Sequence, residues 1–425
     1  MSLLVLKFGG TSLATPERIR SAAQRLVAYH QEGKQVVAVV SAMGSATDEL
    51  LALAKSVNPD PSARELDMLL STGEQVSMAI VAMAVESMGV RAVSLTGRQA
   101  GILTTGAHNK AQISNLKCDR VRKALDMGHI VVVAGFQGTT RQGDITTLGR
   151  GGSDTSAVAL AAGLGAELCE IYSDVEGVYT CDPRVVPRAR KLDEISYEEM
   201  LELAAAGSGV LQMRAVEFAR NFKVPLHCRS AFSDASGTLV KEATMMEQAV
   251  VSGIAFDKSE AKVTIRNVPD QRGIAAAVFS RIAEANVSVD MIVQNVSEHG
   301  FTDISFTVPL GDLSRIKPVL EQLIVELKVR EYVVDDTIAK VSIVGAGMKS
   351  NPGIAAKMFS VLAKHDINIS MISTSAIRIS VVIDGTLVER AVNALHTAFG
   401  LDSSEVFAET LLSAEELAAK AAKGR

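Results

Sequence analysis

The chain has 425 residues, of which 48% are hydrophobic and 21% charged, a balance typical of a globular protein with a large buried core. Its 43 basic and 48 acidic residues give a net charge of −5, and only 4% of the residues are aromatic. The basic residues do not cluster, so nucleic-acid binding is disfavoured. A chain of this length is expected to form roughly two to four domains.

Several other classes of protein are disfavoured by the sequence. No apolar run approaches about 18 residues, which predicts that no segment crosses a membrane. The first residues enter an apolar strand without the pattern of a signal or transit peptide, so a cytoplasmic location is expected. The four cysteines lie far apart without a C-x-x-C pair, which disfavours a disulfide framework or a zinc site.

Strand and helix patterns alternate over residues 1–230. Strands are predicted at 3–6, 36–40, 92–95, 130–134, 168–172 and 225–228. Helices are predicted at 16–32, 46–56, 63–88, 112–127, 153–165, 196–206 and 210–222. Continuous apolar strands between helices predict an α/β domain with three layers, in which helices cover both faces of a mainly parallel sheet. Ligands of such sheets bind at the carboxyl ends of the strands.

A glycine-rich turn follows the first strand. Residues 7–12 are Lys-Phe-Gly-Gly-Thr-Ser, and the next helix pattern begins at Pro16, a residue favoured in the first helical turn. A lysine beside two glycines at the end of a strand is suited to hold a phosphate. The turn differs from the G-x-x-x-x-G-K-[ST] loop, and the chain has no dinucleotide-binding fingerprint.

A second glycine-rich loop occupies residues 147–156, Thr-Leu-Gly-Arg-Gly-Gly-Ser-Asp-Thr-Ser, before an alanine-rich helix pattern. Its glycines let the backbone approach a ligand, and the start of the helix offers unpaired N–H groups to an anion. Ser153 or Asp154 is expected to cap this helix. Arg150 adds a planar donor suited to a carboxylate or a phosphate. Together, the two loops predict an anion site.

The C-terminal part contains an internal repeat with a period of 80 residues, after a turn-rich stretch that places a boundary near 240–250. Gly-Ile-Ala-Ala at 273–276 recurs at 353–356. The first copy predicts a strand at 260–267, a helix at 273–285, strands at 287–296 and 301–309, and a helix at 312–327. The second copy predicts the same order at 338–345, 353–365, 367–374, 376–384 and 386–398. This pattern is typical of two ferredoxin-like domains.

These motifs resemble those of the aspartate kinases, which belong to the amino-acid kinase superfamily and have two C-terminal ACT domains. The matching segments are 7–12, 40–44, 73–75, 135–138, 147–156 and 172–184. The resemblance covers nearly the whole chain. It implies a kinase domain at 1–245, a first ACT domain at 246–337, a second ACT domain at 338–412 and a tail at 413–425.

The family's reaction transfers the γ-phosphoryl group of ATP, bound with Mg²⁺, to the side-chain carboxylate of L-aspartate. The product is 4-phospho-L-aspartate, the first step toward lysine, threonine and methionine. Such a transfer depends on positioning and charge neutralisation. The acceptor carboxylate is already ionised at neutral pH, so no general base is needed.

The resemblance implies a role for each matching residue. Lys7 would neutralise the transferring phosphoryl oxygens, and Asp154 would orient Lys7. Arg150 would bind the α-carboxylate of aspartate, and Glu74 its ammonium group. The implied substrate-binding residues are Ser41, Thr47, Glu74, Arg150, Gly151, Gly152 and Ser153. The implied nucleotide-binding residues are Lys7, Gly9, Gly10, Ser173, Asp174, Tyr179 and Arg184.

The sequence departs from the family pattern at two positions. Gly209 stands where the family commonly has a lysine near the nucleotide phosphates, so one positive charge is missing there. Ala376 stands where the second ACT domain often has a glutamate, which leaves open whether lysine or threonine is the regulator.

ACT domains of this family pair between subunits and bind lysine, threonine or both. A homo-oligomer is therefore implied, and an internal start at Met245 or Met246 would yield a shorter ACT-only subunit. The turns before the first helix of each copy can present N–H groups to an amino-acid carboxylate, or can be simple capping turns. The implied regulator-binding residues are Asp270, Gly273, Ile274, Ala275, Gln294, Asn351, Gly353 and Ile354.

Two other functions stay open at this stage. The first is a kinase for glutamate, acetylglutamate or carbamate, which the ACT repeat and Ser41, Thr47 and Glu74 disfavour. The second is a catalytically weak amino-acid sensor, which Gly209 favours and which Lys7, Arg150 and Asp154 disfavour.

Overall fold

The computed structural model describes residues 2–243, 250–295, 300–327, 329–349 and 351–402. The chain forms two compact units. The first comprises Met1–Val178, Lys191–Ala205 and Gly209–Thr244, and the second comprises Tyr179–Arg190, Ala206–Ser208 and Met245–Arg425. Met245, Met246 and the tail at 413–425 lie outside the described residues.

The first unit alternates strands and helices along most of its length. Its elements in chain order are β1 Leu3–Phe8, α1 Pro16–Gln31, β2 Gln35–Val40, α2 Ala46–Val57, α3 Ala63–Glu86, β3 Ala92–Leu95, β4 Ile102–Thr104, β5 Ile113–Leu116, α4 Asp119–Asp126, β6 Ile130–Ala134, β7 Gln137–Thr139, β8 Ile145–Thr147, α5 Gly152–Leu164, β9 Leu168–Ser173, β10 Glu194–Ser196, α6 Tyr197–Ala205, α7 Met213–Phe222, β11 Leu226–Ser230 and β12 Thr238–Lys241.

The described strands of the first unit form a large, mostly parallel sheet with the order β10-β12-β11-β9-β1-β2-β6-β3. Within it, only β11 and β12 pair antiparallel. A smaller sheet has the order β5-β4-β7-β8. The mixed α/β fold with a mainly parallel sheet, predicted from the alternating apolar strands, is confirmed.

Helices cover both faces of the large sheet. On one face, Leu4, Leu6 and Phe8 of β1 pack in one core with α1 and α3. On the other face, α5 contacts β1, β2 and β9 and packs against α7. Because α5 is enclosed in this way, nearly all of its residues are buried and it lacks a polar face.

Among the described helices, α3 alone has the length and composition of a membrane span, with a mean hydropathy of 1.5 in its most apolar window. Half of that window is buried inside the protein. Its buried face also includes Asp67 and Glu74, which contribute to the site described below. These features are those of a core helix.

The predicted helix at 112–127 is wrong in its first half. Residues Ile113–Leu116 instead form β5, which pairs antiparallel with β4. The helix α4 starts only at Asp119, and its buried residues Val121, Ala124 and Leu125 account for the helical pattern. Strand pairing satisfies the backbone of 113–116, so tertiary context overrides the local helix signal.

The second unit contains both copies of the repeat. Its elements are β13 Gly253–Asp257, β14 Glu260–Pro269, α8 Ile274–Glu284, β15 Ile292–Gln294, β16 Phe301–Pro309, α9 Leu313–Leu327, β17 Glu331–Asp335, β18 Ile338–Val344, α10 Ile354–Lys364, β19 Met371–Thr374, β20 Arg378–Asp384 and α11 Val388–Ala398.

The two copies form separate antiparallel sheets of four described strands each, with the orders β15-β16-β14-β17 and β13-β18-β20-β19. In the first sheet, the strand beside β14 is β17, which follows α9. In the second sheet, the corresponding place beside β18 is taken by β13, which precedes the entire first copy in the chain. The first copy is therefore inserted between two paired strands of the second.

Two short segments from the N-terminal half belong to the second unit. Cys181 and Val186 lie in the same core as Ile254 and Ile343. The predicted division after residue 245 assigns the segment Tyr179–Arg190 to the N-terminal domain, whereas Cys181 and Val186 of this segment are buried among side chains of the second repeat.

The four cysteines of the chain are all buried and free.

A buried charge cluster joins the two repeats. Lys340 of β18 is 1% exposed, and its Nζ lies 2.5 Å from Glu260 Oε1 and 2.6 Å from Asp290 Oδ2. Burial lowers the pKa of Lys340, but the two carboxylates outweigh this effect and the net pKa is raised. Beside the cluster, Met291 and Ile338 share a small apolar core.

Candidate active site

The first glycine-rich turn, Gly9–Gly10, is held at the carboxyl end of β1 by neighbouring loops. Gly9 N donates to Tyr172 O at 3.2 Å, and Gly44 N donates to Gly10 O at 3.0 Å. A Cβ at Gly10 would lie 2.8 Å from Ala42 O, so a side chain is excluded there. The turn thus brings together the ends of β1, β2 and β9.

A charge pair lies beside this turn. Lys7 Nζ is 2.6 Å from Asp154 Oδ1, and the two side chains are 11% and 10% exposed. Lys7 comes from β1, and Asp154 comes from the first turn of α5, where a carboxylate also interacts favourably with the helix dipole. A Cβ at Gly9 would lie 3.5 Å from Lys7 Nζ. The fixed cation therefore adjoins the first glycine-rich turn, in which the Gly9 N–H is already bonded to Tyr172 O.

The second glycine-rich loop enters α5 through left-handed backbone conformations. Gly149 has φ +79° and Gly151 has φ +68°. A Cβ at Gly151 would lie 1.9 Å from Gln212 Cγ, so this position also requires glycine for space. The exposed Arg150 lies between these two glycines, where the loop leaves its guanidinium open to solvent.

The predicted capping of α5 by Ser153 or Asp154 is wrong. The N-cap residue is Gly151, without a side-chain hydrogen bond, and both predicted caps lie inside the first turn. The Asp154 carboxylate pairs with Lys7 instead of capping the helix. A Cβ at Gly135 would lie 3.0 Å from Ser153 Oγ, which places Ser153 beside the loop after β6.

Among the predicted substrate residues is a buried carboxylate, Glu74 on α3. The residue is 3% exposed, and its Oε1 accepts from Ala42 N at 3.1 Å. Its Oε2 has no hydrogen-bond partner among the described residues. Burial raises the pKa of Glu74 to about 7, since the charged form loses its hydration. A ligand cation beside this carboxylate would favour its charged form.

A second buried carboxylate, Asp67, braces the loop before α5 and is absent from the sequence predictions. Asp67 is fully buried and accepts hydrogen bonds from His108 Nδ1 at 2.7 Å, from Asn109 N at 3.1 Å and from Thr147 Oγ1. Arg214, also missed, donates to Leu148 O at 2.9 Å. The detectable signal was an acidic residue on the apolar face of α3, seven positions before Glu74.

The other predicted substrate residues lie on loops that meet this edge of the sheet. Ser41 directly follows β2, and its N–H donates to Phe8 O at 3.1 Å. Thr47 is half-buried in the first turn of α2. Gly152 begins α5, and a Cβ there would lie 3.0 Å from Phe136 Cδ2. The loops after β2 and β6 therefore meet the start of α5.

The predicted nucleotide residues beyond the first turn occupy two different units. Ser173 ends β9 and Asp174 is exposed directly after it, both in the first unit. Tyr179 and Arg184 belong to the segment of the second unit at Tyr179–Arg190. Arg184 is exposed, and its Nη2 lies 2.7 Å from Asp182 Oδ2. The nucleotide role of these four residues stays a prediction.

Within the described ranges, no group of three or more His, Cys, Asp or Glu side chains is arranged to hold a metal ion. Asp154 supplies one carboxylate beside the first glycine-rich turn. This is compatible with Mg²⁺, which proteins commonly bind through one or two carboxylates together with the substrate's phosphates.

The predicted regulator turns share one geometry in the two repeats. Gly273 has φ +89° and Gly353 has φ +101°, and each is the N-cap of the following helix. No described residue lies within 4 Å of a Cβ added at either glycine. Asp270 and Gln294 are exposed, whereas Asn351 Nδ2 donates to Gly347 O at 2.8 Å.

Known protein families match three separate segments of the chain. The amino acid kinase family matches residues 2–230, and ACT domain families match residues 263–326 and 341–399. Aspartokinases from Mycolicibacterium smegmatis and Corynebacterium glutamicum are 53% and 54% identical over 419 residues, which is 96% of this chain and 100% of theirs. The aspartokinase of Pseudomonas aeruginosa is 53% identical and covers 95% of this chain and 98% of its own length.

Solved structures of aspartate kinases are also similar to this chain. Aspartokinase III of E. coli in complex with aspartate and ADP has a TM-score of 0.81 at 26% identity, over 93% of this chain and 99% of its own. Aspartate kinase from Synechocystis has a TM-score of 0.54 at 44% identity, over 96% of this chain and 71% of its own. The resemblance that the sequence motifs indicated is confirmed, and the chain belongs to the aspartokinases of the amino acid kinase family.

Proposed function

We propose that the chain is a feedback-regulated aspartate kinase that transfers the γ-phosphoryl group of ATP to the side-chain carboxylate of L-aspartate. The product is 4-phospho-L-aspartate, which leads toward lysine, threonine and methionine. The observation that best supports this reaction is the Lys7–Asp154 pair beside Gly9 and Gly10. Phosphoryl transfer needs fixed positive charge more than covalent help, and Lys7, held by Asp154, would supply that charge.

Aspartate would be bound by its charged groups. Its ammonium group pairs with Glu74, whose Oε2 is buried and has no partner among the described residues. Its α-carboxylate binds Arg150, which lies on the braced loop before α5. Ser41, Thr47, Gly151, Gly152 and Ser153 complete the substrate site with hydroxyl and backbone donors.

ATP would place its phosphates on Gly9, Gly10 and Lys7. Ser173, Asp174, Tyr179 and Arg184 would hold its adenosine part, and Asp154 would contact the accompanying Mg²⁺. The metal supplies charge neutralisation of the phosphates, while Asp154 keeps Lys7 in place. Because Gly209 carries no charge, Lys7 and Arg184 supply the positive charge among the proposed nucleotide residues.

Regulation would occur through the two ACT domains. E. coli aspartokinase III has been solved with lysine and aspartate, as well as with aspartate and ADP. Here, lysine, threonine or both would bind at the helix starts, through Asp270, Gly273, Ile274, Ala275 and Gln294 and through Asn351, Gly353 and Ile354. We expect a cytoplasmic homo-oligomer that assembles through these domains.

An acyl-phosphate assay tests the reaction. ATP, Mg²⁺ and aspartate are incubated with the full chain, and the product is trapped with hydroxylamine, with glutamate, acetylglutamate and carbamate as alternative acceptors. Lys7→Ala should lower kcat by roughly 10²–10³, as removal of one preorganised electrostatic group does elsewhere. Lys55→Ala, at an exposed position on α2, is the control. Activity with only glutamate, acetylglutamate or carbamate as acceptor would favour a kinase for that compound. No activity with any acceptor, together with binding of lysine or threonine, would favour an amino-acid sensor.

A further inference from the structure

A cavity of about 530 Å³ opens on the α1 face of the first unit, on the opposite side of β1 from the Lys7–Asp154 pair. It lies between α1 and the segment after β11, and its lining includes Phe8, Ser12, Arg18, Arg25, Phe232 and Ser233. Neighbouring residues of a strand point to opposite faces. Lys7 thus meets Asp154 of α5, whereas Phe8 packs with α1 and contributes to this cavity.

Two arginines of α1 contribute positive charge to the cavity. Arg18 Cζ lies 4.7 Å from the centre of the Phe232 ring, and its Nη1 donates to Thr11 O at 2.6 Å. Arg25 Cζ lies 4.9 Å from the centre of the Tyr172 ring. Stacking on a ring holds each guanidinium in place and leaves its in-plane N–H groups available for planar anions.

The opposing negative charge is weak. Asp234 is the one carboxylate among the described lining residues, and its Oδ1 lies 3.5 Å from Arg25 Nη2. The Asp234 side chain is 96% exposed, so solvent screens this pair and a ligand anion can replace it. The lining therefore has a net positive charge.

A buried hydroxyl independently points to a ligand. Ser12 is 2% exposed and lines the cavity, and its Oγ has no hydrogen-bond partner within the part of the chain that the structure describes. Buried polar groups without partners are uncommon because they lose their hydration without compensation. An oxygen of a bound anion would provide the missing partner.

We propose that this cavity binds a small anionic metabolite, whose carboxylate or phosphate group is held by Arg18, Arg25 and Ser12. The volume falls within the range of roughly 300–1,000 Å³ found for small-molecule sites, so the cavity has room for more than a lone ion. The Phe8 and Phe232 rings supply apolar walls for the rest of the molecule.

Occupancy of this site would affect nucleotide binding, a consequence that depends on the proposed kinase function. Ser12 lies in the short helical turn Thr11–Leu13, directly after Gly9 and Gly10. Arg18 is bonded to the same turn through Thr11 O. A ligand that binds both side chains restrains the glycine turn and should change the KM for ATP.

The test measures binding of inorganic phosphate and of succinate to the full chain by isothermal titration calorimetry. Both probes are titrated up to about 10 mM, which covers the millimolar Kd of a weak site. Lys7→Ala distinguishes anion binding in the cavity from anion binding in the proposed active site. The substitution removes the anion-binding charge of the active site, and Lys7 is not among the residues that line the cavity. Arg20→Gln is the matched control, since Arg20 lies on α1 with a 64% exposed side chain and does not line the cavity.

We expect at least one probe to bind to wild type, Lys7→Ala and Arg20→Gln with similar Kd. Arg18→Gln and Arg25→Gln should each weaken binding tenfold or more, and Ser12→Ala several-fold, with unchanged melting temperatures as the check on folding. The probe that binds identifies the anion as phosphate or carboxylate. Absence of binding by both probes, or binding lost in Lys7→Ala and retained in Arg18→Gln, would overturn the proposal. Because calorimetry does not use turnover, failure of the kinase assay leaves this result interpretable.

Discussion

At the residue scale, Glu74 shows how burial sets the chemistry of a side chain. Its pKa of about 7 means that half of the ligand-free protein lacks the negative charge at that pH. An ammonium ligand requires the ionised carboxylate. We therefore expect the KM for aspartate to rise as the pH falls below about 7, with ATP affinity changing much less.

Glu74→Gln should raise the KM for aspartate by roughly 10- to 100-fold, because a hydrogen bond to a charged group is worth about 1.5–3 kcal/mol. The variant should also lose the pH dependence of that KM. Steady-state kinetics between pH 5.5 and about 8.5 would check both effects, a window centred on the shifted pKa. A pH dependence that survives in the variant would assign the titration to another group.

The same shift has a consequence for stability. The pKa rises from 4.5 in the unfolded chain to about 7 in the folded protein, so the folded state holds an extra proton between these values. Stability is thus unaffected below about pH 4.5 and falls as pH rises to about 7, by about 3 kcal/mol in total. Glu74→Gln should therefore unfold at a higher temperature than wild type above pH 7.

Gly209 is a second residue with a specific prediction. No residue in the described part of the chain lies within 4 Å of a Cβ added there, and its backbone is outside the left-handed region that favours glycine. A lysine therefore fits without strain. Gly209→Lys should lower the KM for ATP by roughly tenfold, or about 1.4 kcal/mol, by restoring a charge near the phosphates. Gly209→Gln, of similar length without charge, is the control, and an equal effect in both would exclude electrostatics.

At the element scale, α3 positions the loop that carries Arg150. Asp67 accepts hydrogen bonds from His108, Asn109 and Thr147, so it joins α3 to two loops. In Asp67→Asn, one acceptor oxygen becomes a donor that faces other donors. We expect a loss of about 1–3 kcal/mol in the free energy of unfolding.

The kinetic effect should fall mainly on aspartate. Displacement of the Arg150 loop should raise the KM for aspartate roughly tenfold, with a smaller change for ATP, because small misplacements of binding groups are costly. Chemical denaturation and kinetics of Asp67→Asn, beside the exposed control Asp60→Asn, would measure both quantities. Equal changes in both KM values would show that Asp67 supports the fold in general.

The strand β13 provides another prediction at this scale. It pairs with β18 from Gly253↔Val344 to Asp257↔Lys340, and so completes the edge of the second repeat. A separate chain of residues 246–425 should fold, whereas residues 258–425 should expose the β18 edge and aggregate. Circular dichroism and light scattering of the two fragments would decide this. Equal behaviour of both would show that β13 is dispensable, and failure of both would show that the segment at 179–190 is needed for the core.

At the scale of the whole molecule, inhibition should be separable from catalysis. Asp270 lies in the turn before α8, far along the chain from the proposed substrate residues. Asp270→Ala should relieve inhibition by threonine, lysine or both, whereas in wild type the coupling between regulator and substrate sites is expected to be about 5- to 150-fold in affinity. Uninhibited activity should stay near wild type. Inhibition curves for the two amino acids, singly and together, would test this, and unchanged curves would place the regulator elsewhere.

The sequence by itself determined the parts of this protein that depend on local patterns. Apolar strands between helices and an 80-residue repeat were enough to predict the α/β unit and the two antiparallel domains, whereas the anion site at the two glycine-rich loops stays a prediction. Glycines at 149, 151, 273 and 353 were visible because their left-handed backbone conformations restrict the residue type strongly.

Only the tertiary structure decided which distant residues meet. The partner of Asp154, the burial that shifts the pKa of Glu74 and the Asp67 network all depend on contacts between segments that local patterns do not connect. The same holds for residues 113–116, which form a strand because β4 is available for pairing. It also holds for β13, which pairs with β18 although the whole first copy of the repeat lies between them in the sequence. The arginine-lined cavity likewise exists only because α1 packs beside the end of β11, since burial and pairing are properties of the folded chain.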